Sequence, residues 1–310
     1  MSSAHHRHLP VHPALLLALA QLLWAGNFVL GRAVSARLPP VALSFWRWAV
    51  ALLILLPLAH RELRASWPAL RRALPVLVPL GILGVGNFNT MVYVGLGQTT
   101  ATNAALLNSA CPAFILIIGP LLGGPRPGLR QASGILLSLL GVLAIVAKGD
   151  PQTLLGLSFN RGDAWVLGAV LSWACYTVLL ARRPAGVHPV ALLTVLVAIG
   201  LCWIAPFYAA EAWQGARMPW DGRTAATLGY VGVMASVVAY VSWNQGVAEL
   251  GADRSAAFLH LLPAFAAVLA ALLLGESFHA YHAVGIGLVL LGVRVAGHRL
   301  SNAPAPPRSP

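Results

Sequence analysis

The stretch LLPAFAAVLAALLLGE, residues 261–276, and its earlier counterpart ACPAFILIIGPLLGG, residues 110–124, decide how this chain is read. As a soluble core helix, either would be damaged by its proline. Pro263 and Pro112 each remove an amide donor and crowd the carbonyl four residues back, at Leu259 and Asn108. In lipid such kinks survive because neighbours re-satisfy the freed groups, and His260 and Ser109 sit one turn before the two prolines. Pro112 and Pro263 are therefore expected as kink or hinge points.

Composition points to the same solvent. Of 310 residues, 58% are hydrophobic and 9% charged, and the mean hydropathy is +0.77. A soluble domain carries roughly 25% charged residues, so most of this surface must face lipid. The net charge of +12 and pI near 11.0 raise nucleic acid as a partner. That reading fails because the cations are scattered singly or in pairs between apolar runs instead of gathered on one face. Cys111, Cys175 and Cys202 sit in apolar runs, too far apart for a metal knuckle, and read as packing residues. No metal or cofactor is expected. The start, MSSAHHRHLPVHPALLLALAQLLWAGNFVL, has the basic head of a signal peptide. Its apolar part is too long and lacks an A-x-A site, so a retained first span is expected.

Hydropathy predicts ten spans, near residues 13–31, 40–59, 73–95, 102–122, 128–147, 163–182, 189–209, 224–247, 254–274 and 280–297. Helix is favoured over sheet because the runs lack period-2 alternation. With the N-terminus inside, cytoplasmic connectors hold about twice as many cations as outer ones, so both termini are expected in the cytoplasm. The shift 263 − 112 = 151 superposes Pro112-Ala113-Phe114 on Pro263-Ala264-Phe265. It also pairs Gly81 with Gly232, Gly134 with Gly285 and Gly141 with Gly292; a shift of 149 pairs Trp24 with Trp173 and Pro40 with Pro189. Five spans per half is odd, so the second half enters from the opposite side. The expected fold is an all-α polytopic membrane protein of ten transmembrane helices arranged as two inverted five-helix repeats. Its parts are a tail (1–12), a first repeat (13–147), an outer connector (148–162), a second repeat (163–297) and a Pro-rich tail (298–310). Inverted repeats are the architecture of alternating access.

LLWAGNFVLGRAV (22–34), PPVALSFWRWAVALLILLPLA (39–59) and AFLHLLPAFAAVLAALLLGESFHAYHAVGIGLVLLGV (257–293) resemble the drug/metabolite transporter superfamily, in particular its EamA-like family. The resemblance runs over about residues 14 to 297. The first half departs from the pattern, with Gly124-Pro125 where the second has Gly275-Glu276. The resemblance implies ten helices in a plasma membrane, the inner membrane of a bacterium, and export of small metabolites, often amino acids.

Candidate site residues follow from polarity at lipid depth. Arg47 stands two turns into the second span; it either meets a substrate carboxylate or snorkels to the interface beside Trp46 and Trp48. Asn89 and Tyr93 share a face in the third span, and the shift places Tyr240 and Asn244 in the eighth, with Ser236 and Trp243 alongside. Trp24, Asn27 and Phe28 map onto Trp173, Tyr176 and Thr177. These stripes either pack between helices or line a cavity with aromatic walls suited to a zwitterion. His260 either supports the proline break or binds substrate. Gly134, Gly141, Gly285, Gly287 and Gly292 are expected to let helices approach closely. Glu276 is expected to cap the next helix near Ala280.

All eight acids, Glu62, Asp150, Asp163, Glu211, Asp221, Glu249, Asp253 and Glu276, fall in connectors or near span ends. Coupling through a mid-membrane acid is therefore disfavoured. The absence of G-x-S-x-G, H-E-x-x-H and clustered acids weighs against a membrane-embedded enzyme. A drug efflux carrier is the nearer rival, but lipophilic cations call for an acid. The expected partners are a small-molecule substrate and the lipid bilayer; a monomer is compatible with this architecture.

Overall fold

The computed structural model describes residues 12–99, 101–150, 152–156, 159–274 and 279–297; the tails and Glu276 lie outside them. Among the described residues the chain is helical, with no strand. The helices are α1 (Pro13–Val34), α2 (Pro40–Arg72), α3 (Leu74–Leu80), α4 (Phe88–Leu96), α5 (Ala101–Asn108), α6 (Cys111–Leu121), α7 (Leu129–Val146) and the short α8 (Gln152–Leu155). They continue as α9 (Arg161–Leu179), α10 (Pro189–Trp213), α11 (Gly222–Gly229), α12 (Ala239–Leu250), α13 (Ala252–Ala256), α14 (Leu261–Leu274) and α15 (Ala280–Gly297). Gly81–Asn87 and Tyr230–Val238 are π-helical and join α3 to α4 and α11 to α12. Among the described residues eight continuous helical segments are long and apolar enough to cross a membrane, with two shorter apolar helices at Leu106–Leu121 and Ala280–Ala296. Eight of the ten segments marked by hydropathy coincide with those eight, and the segments near 102–122 and 280–297 fall on the two shorter helices.

The two proline sites take the form of tightened turns within the helical runs Leu106–Leu121 and Ala252–Leu269. In the first case α5 stops at Asn108, Ser109 and Ala110 form a turn, and Cys111 begins a new helix with Pro112 in its first turn. In the second, a 3₁₀ turn over Ala257–His260 precedes α14, and Pro263 is that helix's third residue. The first turn has amide groups without intrahelical acceptors, so a missing one costs little there. The first site is a two-residue turn and the second a 3₁₀ turn, and each places its proline near the start of the α-helix that follows.

A second difference is the reach of α2. It runs 33 residues to Arg72, where about 20 were expected. At 1.5 Å per residue that is about 50 Å, well beyond a hydrocarbon core of about 30 Å. Ala, Leu, Glu and Arg in HRELRASWPALRR are good helix formers, and the helix continues past the lipid boundary with Pro57 and Pro68 in its interior. Arg61, Arg64, Arg71 and Arg72 are exposed on this extension.

Packing follows the offset read from the sequence. The α1 helix packs on α12 and α14, as α9 packs on α4 and α6. The α2 helix packs on the π segment Tyr230–Val238, as α10 packs on Gly81–Asn87; α2 also meets α10, and α7 meets α15. The α7–α15 pair is close because glycines face backbone. A Cβ on Gly141 would stand 2.5 Å from the Gly285 carbonyl, and one on Gly292 would stand 2.5 Å from that of Gly134. Gly287 has no such neighbour within 4 Å and takes no part in this contact. At the far end of α2, Pro39 offers no capping side chain. The Glu211 carboxylate does this work, accepting from the amides of Val41 and Ala42 at 3.1 and 2.7 Å.

Candidate substrate site

The two π segments prepare the site. In α-helix a carbonyl accepts from the fourth residue on, and in π-helix from the fifth. The last five-residue bonds run from Phe88 N–H to Leu83 and from Ala239 N–H to Met234. Where the span falls back to four, the next carbonyl is passed over by the backbone; these are Gly84 and Ala235. A buried carbonyl without a donor costs about 1–3 kcal/mol, so side chains must reach it. Tyr240 Oη donates to Gly84 O at 2.7 Å, while Arg47 Nη2 and Trp24 Nε1 donate to Ala235 O at 2.8 and 2.9 Å.

Arg47 is the centre of this arrangement and is fully buried. Its Nε donates to Ser236 Oγ at 2.6 Å, and that hydroxyl donates to the Val231 carbonyl five residues back. Its Nη1 is shared among Asn27 Oδ1 at 3.1 Å, Asn89 Oδ1 at 2.8 Å and Tyr93 Oη at 2.8 Å. The Trp48 ring centroid lies 5.2 Å from the guanidinium carbon, a cation–π contact. Snorkelling is thus excluded: every donor points to α1, α4 or the π segment of the second half. Among the described residues no carboxylate pairs with Arg47. Neutral oxygens solvate the charge without cancelling it.

The other polar residues join this network through a repeated bond. Tyr93 Oη donates to Asn27 Oδ1 at 2.8 Å, and Tyr176 Oη donates to Asn244 Oδ1 at 2.6 Å. The shifts of 149 and 151 turn one bond into the other with Asn and Tyr exchanged. Asn89 Nδ2 donates to Tyr240 Oη at 2.9 Å, a pair 151 residues apart. Arg47 has no such counterpart, because the equivalent position is Leu196.

Aromatic rings wall the centre. Trp24 contacts Trp173 at 5.1 Å, Tyr240 at 5.5 Å and Trp243 at 5.7 Å between centroids, and Trp173 contacts Tyr176 at 5.0 Å and Phe88 at 4.6 Å. Gln21, Asn27, Asn89 and Asn108 border a space of about 10 Å³, the room of one water. As it stands, the space admits nothing larger than a water. Asn108 and Leu259, the residues four before Pro112 and Pro263, both border it.

The structure therefore brings Trp24, Asn27, Arg47, Asn89, Tyr93, Trp173, Tyr176, Tyr240, Trp243 and Asn244 into one continuous cluster. His260 is set apart from the Arg47 network. Its Nε2 donates to the Ser109 carbonyl at 2.9 Å, and its Nδ1 pairs with Ser138 Oγ. It ties the first break to α7. Sequence reasoning missed Gln21, which is buried in the lining. The available signal was a lone amide in an apolar span, on one face with Trp24 and Phe28 at i, i+3 and i+7. The π segments and the carbonyls of Gly84 and Ala235 gave no such signal.

A buried, duplicated polar centre enclosed by apolar helices is that of a multi-pass membrane transporter. The sequence model of the EamA-like transporter family matches residues 12–147 and again 160–297, and the chain belongs to that family. It is 29% identical to an uncharacterized transporter of Archaeoglobus fulgidus over 90% of this chain and 95% of that one. It is 28% identical to a probable terminal-alkyne amino-acid exporter of Streptantibioticus cattleyicolor, over 91% and 92% of the two chains. A probable amino-acid metabolite efflux pump of Escherichia coli is 24% identical, over 91% and 93%. A solved crystal structure, 19% identical, superposes with a TM-score of 0.73 over 93% of this chain and 99% of that one, and so shares the fold.

Proposed function

We propose that this protein exports small carboxylate-bearing metabolites, amino acids and their derivatives, from the cytoplasm across a bacterial inner membrane. The observation that carries this reading is Arg47: a buried cation held by neutral groups, with no acid beside it among the described residues. A carboxylate supplies the missing charge and a planar partner for the guanidinium. In this reading Trp24, Asn27, Asn89, Tyr93, Trp173, Tyr176, Tyr240, Trp243 and Asn244 line the substrate path, and the breaks at Pro112 and Pro263 are its hinges. His260 holds the first break in place.

Transport runs by alternating access between two inverted five-helix repeats, 13–147 and 163–297, making ten spans with both termini in the cytoplasm. The twofold family match, the paired packing under one offset and the Asn–Tyr bond that occurs twice support this reading. The names of the exporters cited above support an amino-acid-derived substrate. Drug efflux is disfavoured, since a lipophilic cation would meet Arg47 and no acid. The test is flux in proteoliposomes: carboxylate-bearing metabolites are expected to move and quaternary cations are not. Movement of quaternary cations alone, or chemical turnover without flux, sinks the proposal.

A further inference from the structure

The Arg47 network supplies one pole of the site, and the buried groups without partners describe the other. Among the described residues, the Gln21 amide, the indole N–H groups of Trp173 and Trp243, the Asn244 Nδ2 and the Thr177 hydroxyl have no hydrogen-bond partner. All five residues are at most 3% exposed. Gln21 and Trp173 border the space that begins at Asn27 and Asn89, two of the oxygens on Arg47. Trp243 packs on Trp173 at 5.8 Å between centroids, and Asn244 is tied to the same ring through Tyr176, 5.0 Å from it.

The chemistry of these groups is one-sided. An indole N–H only donates and has no alternative assignment. Asn244 has its carbonyl engaged by Tyr176, which leaves its amine end to donate. Gln21 and Thr177 both donate and accept, and among the described residues none that borders the space is an acid. The buried centre is thus a cation at one pole and mainly donors at the other. Unpaired buried donors in a native structure call for an acceptor, either a water held in the space or an oxygen that arrives with a ligand and displaces it. An ammonium brings three donors and no acceptor, and would face groups of its own polarity.

We infer that the substrate is a carboxylate whose far end accepts hydrogen bonds and carries no free ammonium: an N-acyl amino acid, or an oxo or hydroxy acid. This rests on the reading that Arg47 receives a carboxylate, and narrows it. The molecule is a monoanion that balances Arg47, and its carbonyl or hydroxyl oxygen takes the indole donors of Trp173 and Trp243.

The experiment uses the full chain in proteoliposomes and matched sets sharing one carbon skeleton: a free amino acid, its N-acetyl form and its 2-oxo acid, over apolar and polar side chains. The acylated or oxo form is expected to move at least ten-fold faster than the parent. Trp173→Phe keeps the ring wall and deletes the donor; it is expected to slow the favoured form five- to ten-fold and shrink its lead. Trp243→Phe gives the same readout if the first variant does not fold. Faster flux of the free amino acids, with ratios unchanged by Trp173→Phe, overturns this inference and leaves the carboxylate reading standing. If no member of any set moves, both fall.

Discussion

Replacing Arg47 tests the centre of the site most directly. Its guanidinium makes five hydrogen bonds, through Nε, Nη1 and Nη2, to groups on α1, α4 and the Tyr230–Val238 segment. A charge-assisted hydrogen bond to a carboxylate is worth about 1.5–3 kcal/mol net. At about 1.4 kcal/mol per decade, Arg47→Ala should weaken half-saturation for a carboxylate substrate roughly ten- to hundred-fold. Lys keeps the charge but cannot span Ser236, Asn89 and the Ala235 carbonyl together, so Arg47→Lys should lose less than Arg47→Ala, roughly three- to ten-fold. The assay is counterflow in proteoliposomes, run on a carboxylate and its neutral amide for each variant, with protein amount matched by thermal unfolding in detergent. Wild type should prefer the carboxylate, and Arg47→Ala should lose that preference. Equal losses below three-fold for Ala and Lys, with the preference intact, would refute the reasoning.

The remaining predictions concern structure. Gly141→Leu drives a side chain into the Gly285 carbonyl, and overpacking of this kind costs about 1–3 kcal/mol or more, read as a lower unfolding midpoint; Gly287→Ala, with open space around it and the better helix former in place, should leave the midpoint unchanged or slightly raised. His260→Ala strips the Ser109 carbonyl of its donor and should cost about 1–3 kcal/mol of stability, with flux per folded molecule within two-fold of wild type; a larger loss of flux would return His260 to the substrate path. Arg37 and Asp221 form a half-exposed ion pair, while Asp221 also caps α11 by accepting from Thr224 N–H at 2.9 Å. Arg37→Ala should therefore cost less than about 0.5 kcal/mol and Asp221→Ala about 1 kcal/mol, by chemical unfolding in detergent.

The helical segments and the offset between the halves were legible because apolar runs and fixed Pro, Gly and Trp positions are local features of a chain. The depth of Arg47 was legible too, but its direction was not. Its partners lie 20 to 189 residues away, and no periodicity on α2 reveals that Ser236 and Ala235 would turn toward it. The π segments escaped for a related reason: GILGVGN and YVGVMASVV read as ordinary span, and only the count of backbone bonds distinguishes them. The prolines were legible as disturbances, but propensity marks where a helix is perturbed without saying whether it bends, tightens into a 3₁₀ turn or starts again. His260 could not be assigned from its neighbours, because Ser138 and the Ser109 carbonyl come from distant turns of chain.

The α7–α15 contact carries a geometric consequence. Its two glycine approaches, Gly134 with Gly292 and Gly141 with Gly285, exchange places when the halves are swapped by 151 residues. A contact that maps onto itself under that swap has the same geometry whichever half holds which conformation. If transport proceeds by the halves trading shapes, this seam is a fixed point of the motion. The bulk excluded by those four glycines is then excluded in both states, and a side chain added there would obstruct the molecule facing in as much as the molecule facing out.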